Sequence, residues 1–382
     1  MNFLPADVER LVAALVRIDS VNPTLVPGGA GEAEVMRFAA GWLRDAGLDV
    51  ELVDAAPGRP SVIATARGRG GGRSLMLNGH LDTVGVEGMS EPFSARVSEG
   101  RLYGRGGYDM KGGVAAAMLA AATAAREELA GDVVVTAVAD EEHSSVGTQA
   151  VLERVGADAC VVTEPTGLDV MVAHKGFAWW EVTAAGRAAH GSQPQLGVDA
   201  IAAIGPVLVG VAELERSLAA RRHELLGPGS VHASLIAGGQ ELSSYPERCT
   251  LAIERRTLPG EGAEQLEAEL ARLVAAGDSR ARLSGRTALV RAPFEVAPDE
   301  PIVALVHERA TALLGRAPAV RGHSAWMDAA FVAAAGIPTV VFGPTAYNMG
   351  GPDEYVTLDD LFTTARVHAA TLVAFLTGDR KS

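Results

Sequence analysis

The sequence predicts an α/β protein with a mostly parallel sheet, interrupted by a smaller α+β domain. Three observations lead there. Short apolar runs alternate with helical segments up to about residue 173. Beyond that point the order becomes β-α-β-β-α-β, which suits a ferredoxin-like sandwich. From about residue 298 the first pattern returns. The expected organisation is a discontinuous larger domain, residues 1–173 and 292–382, with residues 174–291 inserted.

Residues 6–18 and 31–46 read as helices, the first of them amphipathic, and Gly47 supplies a stop after the second. Segments 61–66, 74–78, 132–139 and 159–163 are apolar enough for buried strands. An Ala-rich helix is expected over 113–129. In the insertion, 177–184 alternates as a half-exposed strand does, 197–218 is helical, and 230–236 and 248–255 are strand-like. A helix over 262–276 and a strand near 287–291 follow. Helices at 300–314 and 326–336, a strand at 338–342 and a helix at 359–377 complete the larger domain.

Composition narrows the partners. Apolar residues make up 48% and charged residues 21%, a globular balance. A net charge of −14 argues against nucleic acid and against anionic membrane surfaces, both of which call for clustered Lys and Arg. Cys160 and Cys249 form no CxxC or zinc-finger spacing. The N-terminal segment carries Asp, Glu and Arg instead of a basic region followed by an uninterrupted apolar one. No run approaches the ~20 apolar residues that span a bilayer. The expected location is the cytoplasm.

Four stretches carry chemistry. "LMLNGHLDTV" (75–84) is an apolar strand ending in His80, with Asp82 on the same side of an extended chain. A carboxylate there can hold the second ring nitrogen of a metal-bound histidine. The plainer reading is a loop histidine beside an aspartate. "GRGGYDMKGG" (104–113) sets Asp109 among glycines before a helix. It lacks the spacing of a phosphate loop, and a mid-loop carboxylate repels phosphate. "TAVADEEHSSVGT" (136–148) ends a strand in Asp140, Glu141 and Glu142. These are either solvated acids or a ligand beside a proton acceptor. "VVTEPT" (161–166) ends a strand in Glu164. Together they offer one imidazole and several carboxylates beyond the carboxyl ends of strands, a donor set for Zn2+, Co2+ or Mn2+ at a hydrolytic site.

These four segments, in this order and spacing, resemble the dinuclear-zinc amidohydrolase and metallopeptidase family of acetylornithine deacetylase, succinyl-diaminopimelate desuccinylase, aminoacylase and glutamate carboxypeptidase. The resemblance covers nearly the whole chain. It implies a three-layer α/β/α zinc-peptidase-like catalytic domain with an inserted lid and dimerisation domain, in a homodimer. It further implies that Asp109 bridges two metals, that His80 and Glu164 complete one site and that Glu142 serves the other. Glu141 would be the general base and Asp82 the orienter of His80. "GRAAHGSQPQLGVDAI" (186–201) resembles the segment whose histidine, here His190, stabilises the oxyanion at the partner's active site. "GGQELSSYPERCTLAIERRTLPGE" (238–261) resembles the segment whose arginine, here Arg256, binds a substrate carboxylate. On spacing alone His190 is an ordinary surface histidine, and Arg255 and Arg256 are strand-surface charges.

One stretch departs from the pattern. "HSAWMDAAFVAAAGIPTVVFGP" (323–344) fits, with Asp328 in place, but the loop "TAYNMGGPDEY" that follows contains no histidine. Relatives place one two residues before the Pro-Asp-Glu text, which is Gly350 here. Tyr108 is a second departure, standing where relatives carry a smaller or hydroxyl-bearing residue. Three accounts stand open. Asn348, Asp353, Tyr347 or His323 substitutes; or only the site of His80, Asp109 and Glu164 is filled; or the scaffold has left hydrolysis for chemistry such as amide formation, or for binding alone. The expected function is hydrolysis of an amide in an N-acyl amino acid or dipeptide by a metal-activated water, as in a deacetylase, desuccinylase or carboxypeptidase.

Overall fold

The computed structural model describes residues 3–377. The chain forms two compact units. One runs from the N-terminus to Val172 and adds Val296–Arg321 and the chain from Met327 onward; the other comprises Ala173–Glu295 and Gly322–Trp326. The second unit thus includes a short strap, 322–326, that lies outside the expected insertion of 174–291.

In the larger unit the strands lie in the order Asp49–Ala56, Arg59–Ala66, Val133–Val138, Leu75–His80, Ala159–Val162, Thr339–Val341 and Val170–His174. Leu75–His80 pairs parallel with both neighbours, and Thr339–Val341 pairs parallel with Ala159–Val162. Both flanks are antiparallel. The sheet is therefore mixed, and the expectation of a mostly parallel one holds only for its four central strands. The two-residue connection between Asp49–Ala56 and Arg59–Ala66 is long enough for a hairpin and far too short for a crossover. Asp49–Ala56 escaped the pattern because it is largely exposed and carries Asp49, Glu51 and Asp54.

Leu75–His80 and Val133–Val138 are buried at every position, which their continuous apolar sequence requires between layers of helices. The helix Gly112–Ala124 is buried everywhere except Thr123. Its run of Ala and Gly lets it lie close to its neighbours: a Cβ on Gly113 would come 2.0 Å from the carbonyl oxygen of Thr163. Leu358–Leu376 and Pro5–Val16 pack against it, while Ala33–Asp45 and Val146–Leu152 pack on the hairpin Asp49–Ala66. The outcome is the α/β/α layering expected.

The smaller unit has the strand order Ser230–Gly238, Arg248–Thr257, Gly176–Ala185, Arg282–Arg291, antiparallel throughout, which is the ferredoxin-like arrangement. Its helices Ala200–Leu218 and Ala263–Ala276 cover one face, burying Ala178, Trp180, Val182 and Ala184 against Ile204, Val207, Leu266 and Leu270. Strand alternation divides the adjacent arginines. Arg255 is buried between Glu261 and Glu269, whereas Arg256 emerges on the other face.

Candidate metal centre

Three parallel strands end side by side, and the chemistry gathers at their carboxyl ends. His80 is the last residue of Leu75–His80 and is 1% exposed. Its Nε2 lies 3.1 Å from Asp109 Oδ1, 3.8 Å from Glu141 Oε2 and 3.7 Å from Glu164 Oε1. Its Nδ1 lies 3.0 Å from the backbone carbonyl oxygen of Asp82 and 3.4 Å from the Asp82 carboxylate. The Asp82 carboxylate has a wider role than the sequence suggested. It accepts from Asn22 Nδ2 at 2.8 Å and from the backbone N–H groups of Glu141 and Glu142 at 3.1 and 3.2 Å. One aspartate thereby ties the ends of two neighbouring strands together.

Local backbone explains how the acids converge. Asp140 takes a left-handed φ of +68°, which stops the strand Val133–Val138 and turns Glu141 and Glu142 aside. The Asp140 carboxylate itself points elsewhere, accepting from Asn22 Nδ2 and from Arg59 Nη2, each at 3.0 Å. Tyr108 and Asp109 lie in the turn before Gly112–Ala124, and the Tyr108 N–H donates to Glu354 Oε1 at 3.1 Å. Lys111 of the same turn is buried and donates to the Ile18 carbonyl at 2.7 Å, so it serves no phosphate.

Two residue sets present donor atoms close enough for one cation: His80, Asp109 and Glu142, and His80, Glu141 and Glu164. Asp328, at the start of the helix Ala329–Ala334, adds a buried carboxylate. Thr148 Oγ1 donates to its Oδ2. Burial, joined by repulsion from Glu164, Asp328 and Glu142 and opposed by His80, holds the Glu141 carboxyl well above its ordinary range. Burial and Asp109 push Glu164 up to about 8, and burial pushes Asp328 up to about 6. For His80, burial opposes the charged ring, but hydrogen bonds to Asp109 and Asp82 outweigh it and raise its pKa. One imidazole amid acids that resist ionising together is a donor set that a divalent cation would neutralise.

The sequence-selected residues His80, Asp82, Asp109, Glu141, Glu142 and Glu164 thus meet in one place. His190 and Arg256 belong to the smaller unit. His190 is exposed, and its Nδ1 accepts from the Ser192 N–H at 3.2 Å, which leaves the proton of a neutral ring on Nε2. Arg256 Nη2 is 2.9 Å from Glu254 Oε1, and its guanidinium lies 5.1 Å from the Phe177 ring centre. Sequence reasoning did not foresee Asn22 or the buried pair Arg105–Glu354. The Glu354 signal lay in the Pro-Asp-Glu text itself, and nothing local marked Asn22.

The model of the peptidase family M20/M25/M40 matches residues 76–374, most of the chain. The chain belongs to this family. An acetylornithine deacetylase of Salmonella agona is 30% identical over 376 residues, covering 93% of this chain and 94% of that protein. Among solved structures, the aminopeptidase PepT of Bacillus cereus superposes with a TM-score of 0.77 at 20% identity, over 97% of this chain and 99% of that one. YxeP of Bacillus subtilis, described as a dinuclear metal-binding peptidase, superposes with a TM-score of 0.72 at 17% identity, over 97% and 98%. The protein is a metal-dependent hydrolase of amide bonds. No helix among the described residues is long and apolar enough to cross a membrane.

Proposed function

We propose that this protein hydrolyses the amide of an N-acyl amino acid or a dipeptide-like substrate, with Zn2+ as the cation and Co2+ or Mn2+ as workable substitutes. The observation that carries the reading is the meeting of His80 with Asp109, Glu141, Glu142 and Glu164 at the ends of adjacent strands. His80, Asp109, Glu142 and Glu164 would hold the cation. When bound, it would supply Lewis acidity, making a water acidic and polarising the amide carbonyl. Glu141 takes the proton from the attacking water and later delivers it to the departing amine. A carboxyl whose pKa is lifted by burial and neighbours is suited to both transfers. Asp82 fixes the His80 ring and the backbone that carries Glu141.

In the smaller unit, His190 donates from Nε2 to the developing oxyanion, a donor worth about 3 kcal/mol at such a position. Arg256 holds the substrate carboxylate in its planar fork. The unit acts as a lid and as the contact surface of a cytoplasmic homodimer. Its edge strand Ser230–Gly238 supports that assignment, being exposed from His232 to Gly238 with Leu235 at 73% and Ile236 at 54%. An apolar edge without Lys or Pro is suited to pairing with a second copy. The curated relatives named acetylornithine deacetylase favour an acylated amino acid as substrate.

A panel of N-acyl amino acids and dipeptides, assayed by release of free amine, tests the reading together with Glu141→Gln. We expect turnover of at least one substrate class by the native chain, and loss of at least a hundredfold in kcat with metal content unchanged in the variant. Near-native turnover by Glu141→Gln would remove the proposed base. Bound metal with no cleavage across the panel would favour the other reading of the Gly350 departure, amide formation or ligand binding.

A further inference from the structure

The two donor sets around His80 are not independent, because both contain it. His80 offers one nitrogen to the acids, Nε2, while Nδ1 is committed to Asp82. A neutral imidazole nitrogen has one lone pair and binds one cation. The sets therefore mark a single imidazole-bound ion at His80, and a second ion with an imidazole ligand needs another histidine.

The loop that could bring one supplies nothing. Gly350 has no side chain and a φ of +71°, and its carbonyl oxygen accepts from Arg105 Nη2 at 2.9 Å. Asn348 Nδ2 donates to Asp353 Oδ1, so those two polar side chains are joined to each other. Tyr347 stacks on Tyr355 with ring centres 5.4 Å apart and an interplanar angle of 18°. Glu354 is buried and bound to Arg105 Nη1 and the Tyr108 N–H. Among the described residues, no acid or histidine of this loop joins either donor set. Among the described residues a second ion would rest on carboxylates alone, a set that suits Mg2+, Ca2+ or Mn2+ better than Zn2+.

Resting on the metal-centre reading above, we propose that this chain holds one tightly bound divalent cation, at His80, in contrast to the relative described as dinuclear. The experiment is metal counting on the full chain. The protein is stripped with a chelator, titrated with Co2+ and dialysed, and retained metal is measured by mass spectrometry alongside the visible d–d absorption. We expect one retained equivalent per chain, absorption that rises linearly to one equivalent and then levels, and none retained by His80→Ala. Two retained equivalents with a spin-coupled Co2+ resonance would overturn the single-ion inference and leave the metal-centre reading intact. No retained metal in the native chain would overturn both.

Discussion

Glu354→Ala is expected to destabilise the larger unit by about 3–5 kcal/mol. Arg105 and Glu354 are each 1% exposed and form an ion pair through Arg105 Nη1. The remaining guanidinium donors reach the Gly85 carbonyl at 2.8 Å and the Gly350 carbonyl at 2.9 Å. Removing the carboxylate leaves a buried cation with two neutral acceptors and leaves the Tyr108 N–H unpaired. Arg105→Met has the reverse defect, a buried carboxylate held only by that N–H. Removing both charges leaves no uncompensated buried charge, and only the Tyr108 N–H stays unpaired, so Arg105→Met/Glu354→Leu should be more stable than the two single losses added together, by about 2 kcal/mol or more. Urea unfolding followed by far-ultraviolet circular dichroism, with calorimetry to separate the transitions of the two units, gives the cycle. A loss below about 1 kcal/mol for Glu354→Ala, or additive behaviour in the double variant, would refute the reasoning.

Three further outcomes are expected. His368 is fully buried with neither ring nitrogen hydrogen-bonded among the described residues, and burial pushes its pKa down to about 3. The unfolded chain takes up this proton near pH 6.5 and the folded chain does not, so stability is complete above that value and falls on acidification towards pH 3 by up to about 1.4 kcal/mol per pH unit. Urea unfolding of His368→Leu should lose that contribution between pH 7 and 5; identical pH slopes would exclude it. Asp82→Asn should weaken metal binding about 10–100-fold in a competition with a chelator, because the amide offers one acceptor oxygen where two carboxylate oxygens now serve Asn22, Glu141 and Glu142. An unchanged affinity would deny Asp82 its positioning role. Gly113→Ala should destabilise by about 1–3 kcal/mol, since the added Cβ meets backbone at Thr163, next to Glu164. A neutral effect on the thermal transition would show that the helix can move.

The strand that ends in His80, the strand that ends two residues before Glu164 and the helices around them were legible because their signals are local. A continuous apolar run marks a buried strand, and a 3.6-residue period marks a helix face. The hairpin strand Asp49–Ala56 was missed because its exposed acids carry no such signal. Two helices stop short of their expected ends: Gly112–Ala124 closes before Arg126, Glu127 and Glu128, exposed residues that are good helix formers, and Ala329–Ala334 falls within the expected 326–336.

The sequence by itself determined which chemistry is present: one histidine and several acids at strand ends, and a glycine where a histidine was expected at 350. Those are properties of single residues and their immediate neighbours. Tertiary structure alone decided which donors meet. It brought Asn22 to Asp82 and Asp140, set Asp328 beside Thr148, and buried Arg105 with Glu354 across 249 positions of chain. It also put the same His80 nitrogen in reach of two donor sets. Contacts between residues so far apart in sequence depend on how sheet and helices pack, and a local pattern carries no record of that.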